Sequence, residues 1–200
     1  MKTHPSRRKN GFTLVELLVV IAIIAVLAGA GFAAGNAAIQ KAKKTTALAT
    51  VVALEQAVNQ FYNEYGSMPT TATADTQIDM NQAEGTTLLK VLLGIEPSSA
   101  TQMNPRSIKF LSVKEGKAKG TSGGSGGLVY KGTGGTDVQG LYDPWGGPYK
   151  LMLDCDYDEK ITTAPTNGGG ATLNGRRVAA WSEGADYAGN KKPADDVKNW

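Results

Sequence analysis

Apolar residues crowd one stretch of the chain and thin out elsewhere. From Phe12 to Ala34, 19 of 23 residues are apolar, and no charge falls between Leu17 and Ala34. At 1.5 Å per residue, a helix of that length spans about 35 Å, enough to cross a bilayer. Beyond it, Leu48, Val51, Val52, Leu54, Val58, Phe61, Tyr62 and Tyr65 recur mostly at spacings of three and four, which marks one packed helix face. No proline interrupts Thr13 to Tyr65, Gly66 offers a C-terminal cap, and Pro69 prevents continuation. The pattern predicts one helix of about 53 residues, roughly 80 Å long. Half is a membrane stalk and half is the spine of a head.

The remaining elements are shorter. After a polar stretch over residues 67–81, Leu88, Leu89, Val91, Leu92 and Leu93 before Gly94 predict a second helix. Strand-like runs follow at Ile108–Val113, Leu128–Lys131, Tyr149–Leu153 and Arg177–Trp181. Twelve glycines between Gly116 and Gly147 predict hairpin loops and flexible connection rather than regular structure. Four segments result: a leader over 1–11, a transmembrane or filament-core helix over 12–38, a helical spine over 39–66, and an α+β head over 67–200.

Charge changes the picture once its position is known. The chain has 21 basic and 18 acidic residues, a formal +3. Lys2, Arg7, Arg8 and Lys9 precede the apolar run, and without residues 1–11 the charge becomes −1. That distribution gives no general support for nucleic-acid binding, and the small run of Lys114, Lys117 and Lys119 reads as a solvated loop. The basic flank instead orients the helix, with its N-terminus cytoplasmic and the head outside.

Candidate chemistry is sparse. The single His4 lies in the leader, so the rest of the chain has no Ser-His-Asp or Cys-His set. Cys155 stands alone, which excludes an intramolecular disulfide. No phosphate-binding glycine motif opens a helix. Glu16 is the odd residue: a carboxylate in an apolar helix costs roughly 2.5–3.5 kcal/mol on insertion scales. It sits hydrated at the headgroup level or meets a cation, and a cut after Gly11 would supply one as the α-amine of Phe12, on its own or a neighbouring chain.

The stretch from Arg7-Arg8-Lys9-Asn10-Gly11-Phe12 through Thr13-Leu14-Val15-Glu16 into the apolar run resembles the prepilin leader of type IV pilins and type II secretion pseudopilins. The resemblance implies cleavage between Gly11 and Phe12 by a prepilin peptidase, N-methylation of Phe12, and neutralisation of a neighbouring subunit's amine by Glu16 during assembly. Asp143-Pro144-Trp145-Gly146-Gly147-Pro148-Tyr149 is similar to a segment of major pseudopilins. Physically it is a rigid corner, with two prolines around permissive glycines and Trp145 placed to cover the core.

Two groups of carboxylates remain. Asp154, Asp156 and Asp158 open like an EF-hand loop, but Glu159 takes its Gly position and Pro165 that of its closing Glu, so the three read as hydrated at the end of a strand. The closing stretch from Trp181-Ser182-Glu183-Gly184-Ala185-Asp186 to Asp195-Asp196-Val197 and Trp200 resembles the calcium-binding loop of major pseudopilins. That resemblance implies one Ca²⁺ held by Asp186, Asp195 and Asp196, with a carbonyl near Glu183. The same loop contains Lys191 and Lys192, which oppose a cation unless they point to solvent. The other reading is a solvated acidic tail anchored by the packing of Trp200.

The fold class implied is α+β and type IV pilin-like: a long N-terminal helix packed on a small antiparallel sheet. The function implied is structural rather than enzymatic. The chain would be a single-pass inner-membrane subunit with a periplasmic head, polymerising into the type II secretion pseudopilus. Its partners would be copies of itself, minor pseudopilins, the prepilin peptidase, and an inner-membrane assembly platform with its ATPase. A type IV pilin-like subunit for adhesion or DNA uptake is the alternative.

Overall fold

The computed structural model describes residues 11–132, 135, 137–162, 172–189 and 196–200. The chain forms two units, Met1–Ala42 and Lys43–Trp200. Helix α1 runs Leu14–Tyr65, 52 residues, as the uninterrupted pattern predicts. In its first part every described side chain from 11 to 42 is exposed, including Leu14, Leu18, Ile21 and Phe32. That part is long and apolar enough to cross a membrane. In its second part Val51, Leu54, Val58 and Phe61 of the predicted face are fully buried together with Ala47 and Ala57, while Leu48 of that face is exposed. At the end the Gly66 N–H closes the last turn on the Tyr62 carbonyl at 2.8 Å.

The head is built on a four-stranded antiparallel sheet. Its strands are β1 (Gln77–Asp79), β6 (Lys150–Leu153), β9 (Val178–Ser182) and β10 (Val197–Lys198), in that spatial order. Strand periodicity splits the apolar residues between two faces. Leu151, Leu153, Val178 and Ala180 join the buried residues of α1 in the main core. Met152, Ala179 and Trp181 face the other way and are covered by Ile161, Leu173 and Trp200. Ile161 and Leu173 belong to a hairpin of β7 (Lys160–Thr162) and β8 (Thr172–Asn174). The Trp200 ring meets Trp181 edge-on at 5.8 Å.

Helix α2 (Ala83–Leu93) buries Leu88, Leu89, Val91, Leu92 and Leu93. It stops at Gly94, whose φ of 70° is the left-handed cap conformation that a side chain resists. The predicted strand over Ile108–Val113 does not form. The Phe110 and Leu111 N–H groups both donate to the Leu92 carbonyl, at 2.9 Å each. The Asn104 side chain spans Val91 O and Ile108 O. The segment thus caps the open carbonyls of α2 instead of pairing with a strand.

The glycine-rich region departs further from expectation. It holds two antiparallel hairpins: β2 (Lys117–Lys119) with β3 (Gly123–Ser125), and β4 (Gly127–Tyr130) with β5 (Val138–Tyr142). Of these, only β4 overlaps a strand read from the pattern. Glycine is needed there for close approach, because a Cβ on Gly124 would lie 2.6 Å from the Tyr142 ring. Tyr142 Oη donates to Ser122 O at 2.8 Å, and Gln139 Nε2 to Gly123 O at 3.0 Å, fastening the hairpins together. Strand β1 also arises inside the stretch that reads as merely polar.

Candidate functional site

Gly11 and Phe12 are exposed and precede the first helical residue, Leu14. Thr13 and Glu16 close the helix start reciprocally. The Thr13 N–H and hydroxyl donate to Glu16 Oε2 at 2.8 and 2.7 Å, and the Glu16 N–H donates to Thr13 Oγ1 at 3.2 Å. This is a capping box, in which a threonine and a glutamate three residues on satisfy open helix donors. The sequence pattern reads Glu16 as hydrated at the headgroup level or as a charge meeting a cation; the Thr-x-x-Glu spacing that signals the role of Thr13 is not part of that reading. A cut between Gly11 and Phe12 leaves every atom of the box in place.

The corner after β5 is organised around one carboxylate. Asp143 is fully buried. Its Oδ1 accepts from the N–H groups of Trp145, Gly146 and Gly147 at 2.8, 2.7 and 2.9 Å. Its Oδ2 accepts from the Ser182 hydroxyl at 2.6 Å, and Ser182 Oγ in turn accepts from the Gly184 N–H at 3.1 Å. One side chain thus locks the turn and ties it to the residue that ends β9. Burial pushes the Asp143 carboxyl above its usual range, against the pull of these donors. Trp145 packs against the main core, as expected of it.

The C-terminal loop begins and ends beside the same sheet edge. Asp186 closes a short 3-10 turn, Gly184–Asp186, directly after β9. Val197 pairs with Ser182, so Asp196 lies next to the ladder at the loop's return. Asp186 and Asp196 are both half-buried, and the Oδ1 atom of each is shielded from solvent. Asp195, Lys191 and Lys192 lie outside the described residues. The Glu183 carboxylate is engaged by Lys150 Nζ at 2.9 Å, with both side chains largely buried. Asp186 and Asp196, two of the three expected ligands, therefore stand at the two ends of one loop, and both offer the carboxylate oxygens that hard cations such as Ca²⁺ take.

The other acidic group differs from its sequence reading. Asp154 is not hydrated; it is 2% exposed and sits beside Asp75, which the sequence did not single out. Asp156 is exposed, and Asp158 accepts from the Lys160 N–H at 2.8 Å.

Residues 6–32 match the family described as the prokaryotic N-terminal methylation motif. Over 63 residues the chain is 41% identical to prepilin peptidase-dependent protein D of Escherichia coli (strain K12). That stretch is 32% of this chain and 43% of the relative, so less than half of the relative's length is spanned. No solved structure matches the chain. The N-terminus is thus prepilin-like, and it leads into a pilin-like α+β arrangement of one long helix and small antiparallel sheets.

Proposed function

We propose that this chain is a structural, non-enzymatic subunit of a type II secretion pseudopilus. A prepilin peptidase would cut between Gly11 and Phe12, and the mature helix would join a filament of copies that helps to export folded proteins. The observation that carries the reading is the coupling of a prepilin methylation motif to an apolar helix stretch whose described side chains are all exposed. Such a surface is costly in water, at about 25 cal/mol per Å² of apolar area, and is relieved only by lipid or by other helices. Minor pseudopilins and an inner-membrane platform with its ATPase are the remaining partners of this proposal. The head would be periplasmic, since the basic flank before Phe12 favours a cytoplasmic N-terminus.

Mass spectrometry of the protein from cells with an active prepilin peptidase should give a mature chain beginning at N-methylated Phe12. A chain that retains residues 1–11 in such cells would refute the reading.

The proposal includes one Ca²⁺ in the C-terminal loop, held by Asp186, Asp195 and Asp196. Ca²⁺ at about 100 times its dissociation constant should stabilise the head by about 2.7 kcal/mol, raising its melting temperature by roughly 5–10 °C. The Asp186→Asn/Asp196→Asn double variant should lose the part of that rise that the loop contributes. An unchanged rise in this variant would exclude the loop as its source.

A further inference from the structure

The antiparallel pairing of β1 with β6 sets Gln77 opposite Met152 and Ile78 opposite Leu151. Continued by two residues, the same register sets Asp75 opposite Asp154, just past the end of each strand. Asp156 follows in the same loop. One carboxylate oxygen from each of Asp75, Asp154 and Asp156 lies within 4.8 Å of the others. Three carboxylate oxygens from two chain segments can share one hard cation, and Ca²⁺ tolerates such an irregular oxygen set better than Mg²⁺, which demands near-ideal octahedral geometry.

The cluster has a second property that surface carboxylates lack. Asp154 is 2% exposed, and its Oδ2 accepts from the Glu159 N–H at 3.2 Å. Its Oδ1 is shielded from water and has no hydrogen-bond partner among the described residues. A buried carboxylate oxygen without a donor is costly, and the Asp154 carboxylate lies beside two further carboxylates. Among the described residues no lysine or arginine forms an ion pair with any of the three. Asp75 Oδ1 is positioned by the Cys155 N–H at 2.9 Å, and Asp156 Oδ1 by the Asp158 N–H at 3.3 Å. The carboxylates are thus held by backbone donors while their mutual repulsion goes uncompensated.

We propose that Asp75, Asp154 and Asp156 form a Ca²⁺ site distinct from the C-terminal loop, in which the ion clips the short edge strand β1 to the end of β6. Asp154 is the buried ligand, Asp75 the ligand from the facing segment, and exposed Asp156 leaves room for water to complete the shell. This inference does not depend on the filament reading.

The test uses the full chain in detergent, titrated with Ca²⁺ by calorimetry. In the Asp186→Asn/Asp196→Asn background, one Ca²⁺ per chain should still bind. Adding Asp75→Asn and Asp156→Asn should weaken that binding by about tenfold or more, since ligand charge sets affinity. Neither added position is fully buried, and circular dichroism checks that the variants fold. Should the background fail to fold, the wild-type isotherm should lose one site on introducing Asp75→Asn/Asp156→Asn alone. Three results would overturn the site: no binding in the folded background at millimolar Ca²⁺, binding indifferent to Asp75→Asn/Asp156→Asn, or equal affinity for Mg²⁺.

Discussion

Asp143→Ala should destabilise the head by about 3–5 kcal/mol, read from urea unfolding followed by tryptophan fluorescence. The substitution removes the acceptor for three backbone N–H groups and for the Ser182 hydroxyl, all inside a fully buried corner. Each donor left without an acceptor costs roughly 1–3 kcal/mol, and local relaxation recovers part of the sum. Asp143→Asn should cost far less, about 1 kcal/mol. Its amide oxygen can accept the three N–H groups, while its amide nitrogen can donate to Ser182 Oγ. A loss below about 1 kcal/mol for Asp143→Ala would show that the corner does not rest on this side chain.

The same pair of variants has a pH signature. Burial raises the Asp143 pKa in the folded state above its ordinary 3.8. An acid so shifted penalises the fold when ionised. The penalty is present above the folded pKa and is relieved as pH falls through it toward 3.8. Asp143→Asn should remove this component, leaving stability less dependent on pH across that interval.

Within the proposed function, Glu16→Ala should abolish filaments while leaving the chain in the membrane. Insertion would become easier by roughly 2.5–3.5 kcal/mol, the cost of a carboxylate in an apolar helix. The capping box introduces a complication that a single variant cannot resolve, because Glu16→Ala removes both the charge and the acceptor for Thr13. Glu16→Gln separates them, since glutamine also serves in a capping box. If the charge neutralises a neighbour's amine, Glu16→Gln should fail to assemble as completely as Glu16→Ala. Normal filaments from Glu16→Gln, seen by electron microscopy of sheared cells, would move the role of Glu16 from charge to cap. Thr13→Ala, which costs about 1 kcal/mol at the helix start, should reduce assembly only modestly.

The features legible in the chain's own pattern are local. The apolar run, the spine face from Val51 to Phe61, the stop at Gly66 and the leucine-rich face of α2 all follow from contacts three and four residues apart. Even the Thr13–Glu16 box lies within that range. The prepilin signature is equally local, carried by contiguous residues around Gly11 and Phe12.

The tertiary structure alone decided which distant groups meet. Asp143 reaches Ser182 across 39 residues, and the Cys155 N–H reaches Asp75 across 80. Neither pairing leaves a periodicity to read: the first joins the ends of strands in different sheets, and the second follows from the register of β1 on β6. Ile108–Val113 had the composition of a strand and became a cap, since the nearest open acceptor was the Leu92 carbonyl. The glycine-rich region formed paired hairpins in which Gly124 leaves the Tyr142 ring the space that a Cβ would fill. Local pattern specifies an element through its own backbone and faces. A site built on pairing exists only once the register has brought its residues together.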